Sequence, residues 1–178
     1  MSGEGAAASG PAPRVALAHG PRGFVRDGEP GAALGALAAA AMRADRLDPL
    51  ITEVVRLRCA QVHDCRHCAS LRLQDAAEAG FDEPMAAAVL RYEDSDLGPA
   101  AGAALRLADA ITLTPGRVDD DLRGELAAHF TDEQIAEICL DVVKWSRQKV
   151  LVALRLEEPL PDGPTALSFD ADGAPLIT

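Results

Sequence analysis

Two of the chain's four cysteines stand three residues apart in the stretch HDCRHCASLR, residues 63–72. A Cys-x-x-Cys pair has three chemical meanings: a redox dithiol, half of a metal site, or two inert core thiols. Reactivity belongs to the thiolate, and a free cysteine has a pKa of about 8.5. Cys65 and Cys68 are predicted to open a helix, whose unpaired N–H groups and dipole favour negative charge. Positions i and i+3 share a helix face, so the two sulfurs can meet. Cys65 is expected to be the more exposed of the two, and Cys68, one turn deeper, the more buried. A metal site needs three or four ligands of suitable geometry. Cys59 and Cys139 form no second pair, which weakens that meaning without removing it. A thioredoxin-type motif belongs beside a strand, and no strand-like alternation stands out here.

Three further groups have acid–base or electrostatic capacity near the pair. Glu53 lies twelve residues before Cys65, so a fold-back of its helix would bring a proton acceptor to the dithiol. His67 stands between the cysteines and can relay a proton. His63, two residues before Cys65, is a candidate second imidazole, with helix capping as its ordinary role. Arg72 follows Cys68 by four residues.

These groups have to be positioned by helices. Residues 31–44 have helical composition, and Asp48-Pro49 reads as a cap and first position for a helix over 49–62. A second helix is expected from Cys65 through Ala79, ended by Gly80. Others follow from about Asp82 to Arg91, over 99–113, and from Asp119 to Phe130. Thr131 and Gln134 have the form of a capping box, opening a long helix through Leu156. The expected fold is all-α, a compact bundle of about six helices. Residues 1–30 are read as a flexible arm, 31–158 as the helical domain and 159–178 as an extended tail. Cys59 and Cys139 are expected in the core, His129 as a helix-terminal cation, and Asp119 to Asp121 as a solvated cap.

Composition narrows the function further. The 178 residues suit one domain, and their formal net charge of −11 argues against nucleic acid and anionic membranes as partners. Aromatics make up only 3% against 48% hydrophobic residues, so the core is built from Ala, Leu and Val. No apolar run long enough to span a bilayer and no secretory leader are apparent. The cytoplasm is therefore the expected compartment. Thiols stay reduced there, and a Cys-x-x-Cys pair is more often catalytic or metal-binding than a structural staple.

The stretch EVVRLRCAQVHDCRHCASLRLQDAAEAGF resembles the AhpD-like, carboxymuconolactone decarboxylase family, as does TDEQIAEICLDVVKWSRQKVLVAL. The resemblance spans roughly residues 35–158 and implies an all-α protein that assembles as a homo-oligomer. An Ala-rich bundle with few aromatics also points to assembly, since it leaves apolar surface to cover. Family members with the cysteine pair are alkylhydroperoxidases or related thiol–disulfide reductases, and those without it include the decarboxylases. By this resemblance Cys68 is the peroxide-attacking thiol, Cys65 the resolving thiol that meets the reductant, and Glu53 and His67 the proton relay. It implies no bound cofactor and no metal. An external dithiol, a lipoylated protein or another thiol carrier, would act as reductant. A general disulfide reductase and a non-redox decarboxylase-like enzyme remain the alternatives. Arg72 stands where the family usually has histidine. An arginine does not relay protons, so Arg72 either holds Cys68 as a thiolate by its charge or marks a broken relay.

Overall fold

The computed structural model describes residues 29–147, 149–155 and 163–178. Nearly all of the expected arm at 1–30 and the start of the expected tail lie outside them. The order is α1 (Glu29–Met42), α2 (Pro49–Val62), α3 (Arg66–Ser70), β1 (Leu71–Leu73), α4 (Gln74–Glu78), α5 (Glu83–Val89), α6 (Pro99–Leu113), α7 (Asp120–His129), α8 (Asp132–Ser146), α9 (Lys149–Leu154), β2 (Thr165–Phe169) and β3 (Pro175–Ile177). Single 3₁₀ turns at Tyr92–Asp94 and Pro115–Arg117 flank α6.

The helix starts follow their caps. Asp48 accepts from the Leu50 amide ahead of α2, with Pro49 at the first position. Asp82 and Asp119 cap α5 and α7 in the same way. Thr131 and Gln134 form both bonds of the capping box that opens α8. Gly80, beyond the end of α4, has φ +101°, a conformation that costs a residue without Cβ little.

The bundle is organised around α2. Val55 and Cys59 join Leu107, Ala108, Leu122, Leu126, Ile138 and Val142 in one core, built with α6, α7 and α8. Val54 and Leu57 enter a second core with Leu71, Leu73, Ala76, Phe81, Val89, Leu105 and Leu167. Seven residues of α6 are buried, and five of them are alanines, so neighbouring backbones can approach this helix closely.

The fold is broadly an all-α bundle, but three departures from the sequence expectation matter for the site. The helix expected from Cys65 to Ala79 is broken at Leu71–Leu73, which forms strand β1. The helix expected through Leu156 ends at Ser146, and α9 is separate. The described part of the expected tail folds back as a hairpin. Strand β2 pairs parallel to β1, Leu71 opposite Thr165, and antiparallel to β3, Leu167 opposite Ile177. Alternation along β1 buries Leu71 and Leu73 and turns Arg72 the other way. The hairpin turn packs on α1 at Gly173, where a Cβ would lie 2.6 Å from the Ala39 Cα.

Candidate active site

The two cysteines sit where α2 turns into α3. His63 ends α2, and Asp64, at φ 54°, reverses the chain. The Cys65 amide then donates to the Ala60 carbonyl at 2.9 Å, which draws Cys65 under the end of α2. Cys65 is the N-cap of α3 rather than part of it, and its Sγ accepts from the Cys68 amide at 3.2 Å. Cys65 and Cys68 are joined as a disulfide with their Cα atoms 5.3 Å apart. The expected order of exposure is reversed. Cys65 is 4% exposed while Cys68 is half-buried, because the cap position lies beneath α2 and the helical position faces outward.

Both cysteines line a cavity of about 380 Å³. Its walls come from α1 (Ala38, Met42), α2 with its end (Arg56, Cys59, His63), α8 (Lys144, Trp145) and the hairpin (Leu167, Phe169, Ile177). His67 and Arg147 also reach it. The segment read as a tail therefore supplies part of the wall.

Glu53 is not on that wall. It is fully buried, and its carboxylate accepts from Arg56 Nε at 2.6 Å, from Arg56 Nη2 at 2.8 Å and from the Leu73 amide at 3.4 Å. Arg56 in turn donates to the carbonyls of Cys68 (2.7 Å) and Leu71 (2.6 Å). Glu53 thus connects to the dithiol through Arg56, which holds the backbone on the far side of Cys68. Arg56 was visible in the sequence as the i+3 partner of Glu53 on α2, but no local signal gave it these two carbonyls.

His63 and His67 both line the cavity. The His63 Nδ1 makes a short hydrogen bond with the Cys59 carbonyl, so proton exchange at this ring falls to Nε2. Arg72 has no part in the cavity wall. Its guanidinium donates to Glu83 at 2.9 and 3.0 Å and to the carbonyls of Ala69 and Leu71. β1 alternation faces Arg72 toward α5, where Glu83 answers its charge.

Lys144 also lines the cavity. It is 5% exposed, and its ammonium lies 3.7 Å from the centre of the Trp145 ring and 4.9 Å from that of Phe169. Burial pulls Lys144 down to about 7, opposed by Asp141 three residues earlier. Burial likewise pushes Asp141 up to about 7, opposed by Lys144 and reinforced by Glu137. Nothing but a lysine on an otherwise amphipathic helix marked this position in the sequence. Cys59 also lines the cavity, but burial pushes its thiol up to about 12, so it is inert at neutral pH. Among the described residues no group of three or more His, Cys, Asp or Glu side chains is arranged to hold a metal. No helix among them is long and apolar enough to cross a membrane.

Residues 29–110 match the model of the carboxymuconolactone decarboxylase family. The uncharacterised Mycobacterium tuberculosis protein Rv2313c is 40% identical over 123 residues, 68% of this chain and 43% of that one. The uncharacterised Escherichia coli protein YnjA is 34% identical over 93 residues, 52% of this chain and 51% of that one. The chain thus spans about half the length of these relatives or less. Among solved structures, an Agrobacterium tumefaciens protein of unknown function, named for the antioxidant defence protein AhpD, superposes with a TM-score of 0.62 at 21% identity, over 73% of this chain and 90% of that one. The debrominase Bmp8, in complex with 2,3,4-tribromopyrrole, gives 0.61 at 18% identity over 75% and 72%. At these identities the likeness is one of fold.

Proposed function

Since residues 29–110 match the model of the carboxymuconolactone decarboxylase family and the fold is AhpD-like, we propose that the protein is a thiol-dependent peroxidase. It reduces hydroperoxides through a Cys65/Cys68 dithiol–disulfide cycle. The observation that carries this reading is the bonded pair on the wall of a largely apolar cavity, with His63 and His67 beside it. The Cys68 thiolate attacks the terminal peroxide oxygen and the O–O bond breaks. The alkoxide leaves as alcohol with a proton from an imidazole, and Cys68 becomes a sulfenic acid. The Cys65 sulfur then attacks Cys68, and water departs as the disulfide forms. The reductant, a lipoylated protein or other thiol carrier, attacks the more accessible sulfur, and the burial of Cys65 makes that Cys68. Cys65 leaves as thiolate, and a second thiol of the carrier releases Cys68. In this cycle Glu53 acts through Arg56, fixing the carbonyls behind Cys68 rather than exchanging a proton with the sulfurs.

The cycle needs no bound cofactor or metal. It fits a homo-oligomer in the cytoplasm, whose reducing poise would regenerate the thiols. The test is stopped-flow oxidation of the reduced protein by cumene hydroperoxide, followed by mapping of the disulfide. A rate no faster than that of a free thiol would sink the peroxidase reading. A Cys65–Cys68 bond formed at a faster rate, and abolished in Cys68→Ser, would support it.

Arg72 favours a second reading. The place where the resemblance to the family implies a histidine is here an arginine turned to Glu83, which gives this dithiol another proton arrangement. It would then act as a disulfide reductase, or on an electrophile other than a peroxide. Bmp8 is a debrominase on the same fold. Oxidation by a small disulfide, with none by peroxide, would select this reading. Turnover of a lactone or other non-redox substrate unaffected by Cys65→Ser and Cys68→Ser would exclude both.

A further inference from the structure

The cavity carries a charge opposite to that of the chain. The protein's formal net charge is −11. Yet the charged and imidazole residues lining the cavity are Arg56, His63, His67, Lys144 and Arg147, and no Asp or Glu among the described residues lines it. Most of that positive charge is already answered. Arg56 is bonded to Glu53 and two carbonyls, and Arg147 is exposed and donates to the Leu34 carbonyl.

Lys144 is different. It is more than nine-tenths buried, and its Nζ donates no hydrogen bond to any acceptor among the described residues. Asp141, one turn earlier on α8, lends charge but no hydrogen bond, and its own Oδ2 is also without one. Two aromatic faces hold the ammonium. Such faces attract a cation but offer no oxygen. A buried ammonium in these surroundings is half of an ion site. The rest of the wall is apolar, with Met42, Leu71, Leu151, Leu167 and Ile177, and its volume falls in the range of small-molecule sites.

We propose that the dithiol cavity binds an apolar small molecule bearing a carboxylate, with Lys144 as the seat of the carboxylate and Trp145, Phe169 and Leu167 as the bed of the apolar body. Burial, helped by the charges of Arg147 and Arg56 and opposed by Asp141, draws Lys144 down toward neutrality, and an incoming carboxylate supplies the counter-charge that restores the ammonium. Trp145 covers Nζ, so it shifts as the carboxylate arrives. Applied to turnover, the site selects hydroperoxides of carboxylic acids over neutral ones. That extension rests on the peroxidase reading above, whereas binding does not.

Trp145 is the only tryptophan, so its fluorescence reports on the site. The full chain, in its disulfide form, is titrated with decanoate, 1-decanol and decylamine. Decanoate is expected to bind at least about tenfold tighter than decanol. Lys144→Met is expected to remove that preference and leave decanol binding unchanged, while Lys144→Arg keeps it. Equal affinity for decanoate and decanol in the wild-type protein overturns the proposal, and so does a preference that survives in Lys144→Met. The wild-type comparison decides the matter even if Lys144→Met fails to fold. No peroxide is present, so a dithiol inert to hydroperoxides removes the peroxidase reading and leaves this one standing.

Discussion

Two buried acid–base couples place a cation on the wall of the same cavity from different helices, Arg56 from α2 and Lys144 from α8, and they are built in opposite ways. On α2, Glu53 and Arg56 meet at 2.6 and 2.8 Å, and the guanidinium's other hydrogen bonds go to backbone carbonyls. On α8, Asp141 and Lys144 have the same three-residue spacing and are also buried, yet neither Asp141 Oδ2 nor Lys144 Nζ has a hydrogen bond among the described residues. The first pair recovers its desolvation cost through geometry, and the second leaves much of its cost standing. A satisfied pair holds structure, and an unsatisfied one beside a cavity is open to a ligand.

Removing one partner of the satisfied pair should have the largest effect. Arg56→Met takes both guanidinium bonds from the Glu53 carboxylate, leaving it only the Leu73 amide, and removes one donor each from the Cys68 and Leu71 carbonyls, and should lower the unfolding free energy by about 3–5 kcal/mol in chemical denaturation. The variant should also loosen the Cys68 backbone, seen as faster reduction of the disulfide by dithiothreitol. Lys144→Met should act in the opposite sense. Asp141, already raised to about 7, takes up a proton once Lys144 no longer opposes it, and Met packs against Trp145 and Phe169. Unfolding at pH 6 should show a change of less than about 1 kcal/mol or a gain in stability. A loss as large as that of Arg56→Met would end the contrast between the pairs.

The pH dependence sharpens the same comparison. Burial draws Lys144 down to about 7 from 10.5 and pushes Asp141 up to about 7 from 3.8, so near pH 7 the two offset each other, and above it, where Asp141 is ionised in both states, the unfolded chain holds the extra proton. Stability must therefore rise with pH across that window, by up to about 1 kcal/mol per pH unit. Melting of the wild type relative to Lys144→Met from pH 7 to 9 should show the rise. This range lies largely below the window in which Cys59, held at about 12 against 9.0, would lower stability as pH rises. The smallest effect belongs to Arg72→Ala. Its partner Glu83 is 59% exposed, so the pair contributes about 0–1 kcal/mol, and the thiolate pKa of Cys68 should not move in a thiol-titration assay. A clear rise in that pKa would return Arg72 to the site.

What the sequence made legible was local. Asp48-Pro49, Asp82-Glu83-Pro84 and Thr131 with Gln134 place helix starts by capping chemistry that acts within four residues, and all three hold in the fold. The bundle and its Ala-rich core followed from composition. What stayed hidden depends on partners distant in the chain. Leu71-Arg72-Leu73 is too short to show strand periodicity, and it becomes a strand because Thr165–Leu167 lies alongside. That single pairing redirects Arg72, breaks the expected helix and turns the expected tail into cavity wall. The exposure of the cysteines was misread for a related reason, since the left-handed turn at Asp64 makes Cys65 a cap. Lys144 carried no sequence signal because its meaning lies in Phe169 and the cavity, not in its neighbours on α8.

The parallel pairing of β1 with β2 also bears on how the protein comes to be made. Strand β1 directly follows the cysteine pair, but the edge it offers stays unpaired until the chain has run on through the six helices α4 to α9. Contacts so far apart along the chain form late. During synthesis, then, the two thiols pass through a period without the hairpin over them. In that period they are open to any oxidant or disulfide the compartment offers, before the finished enclosure can choose what reaches them.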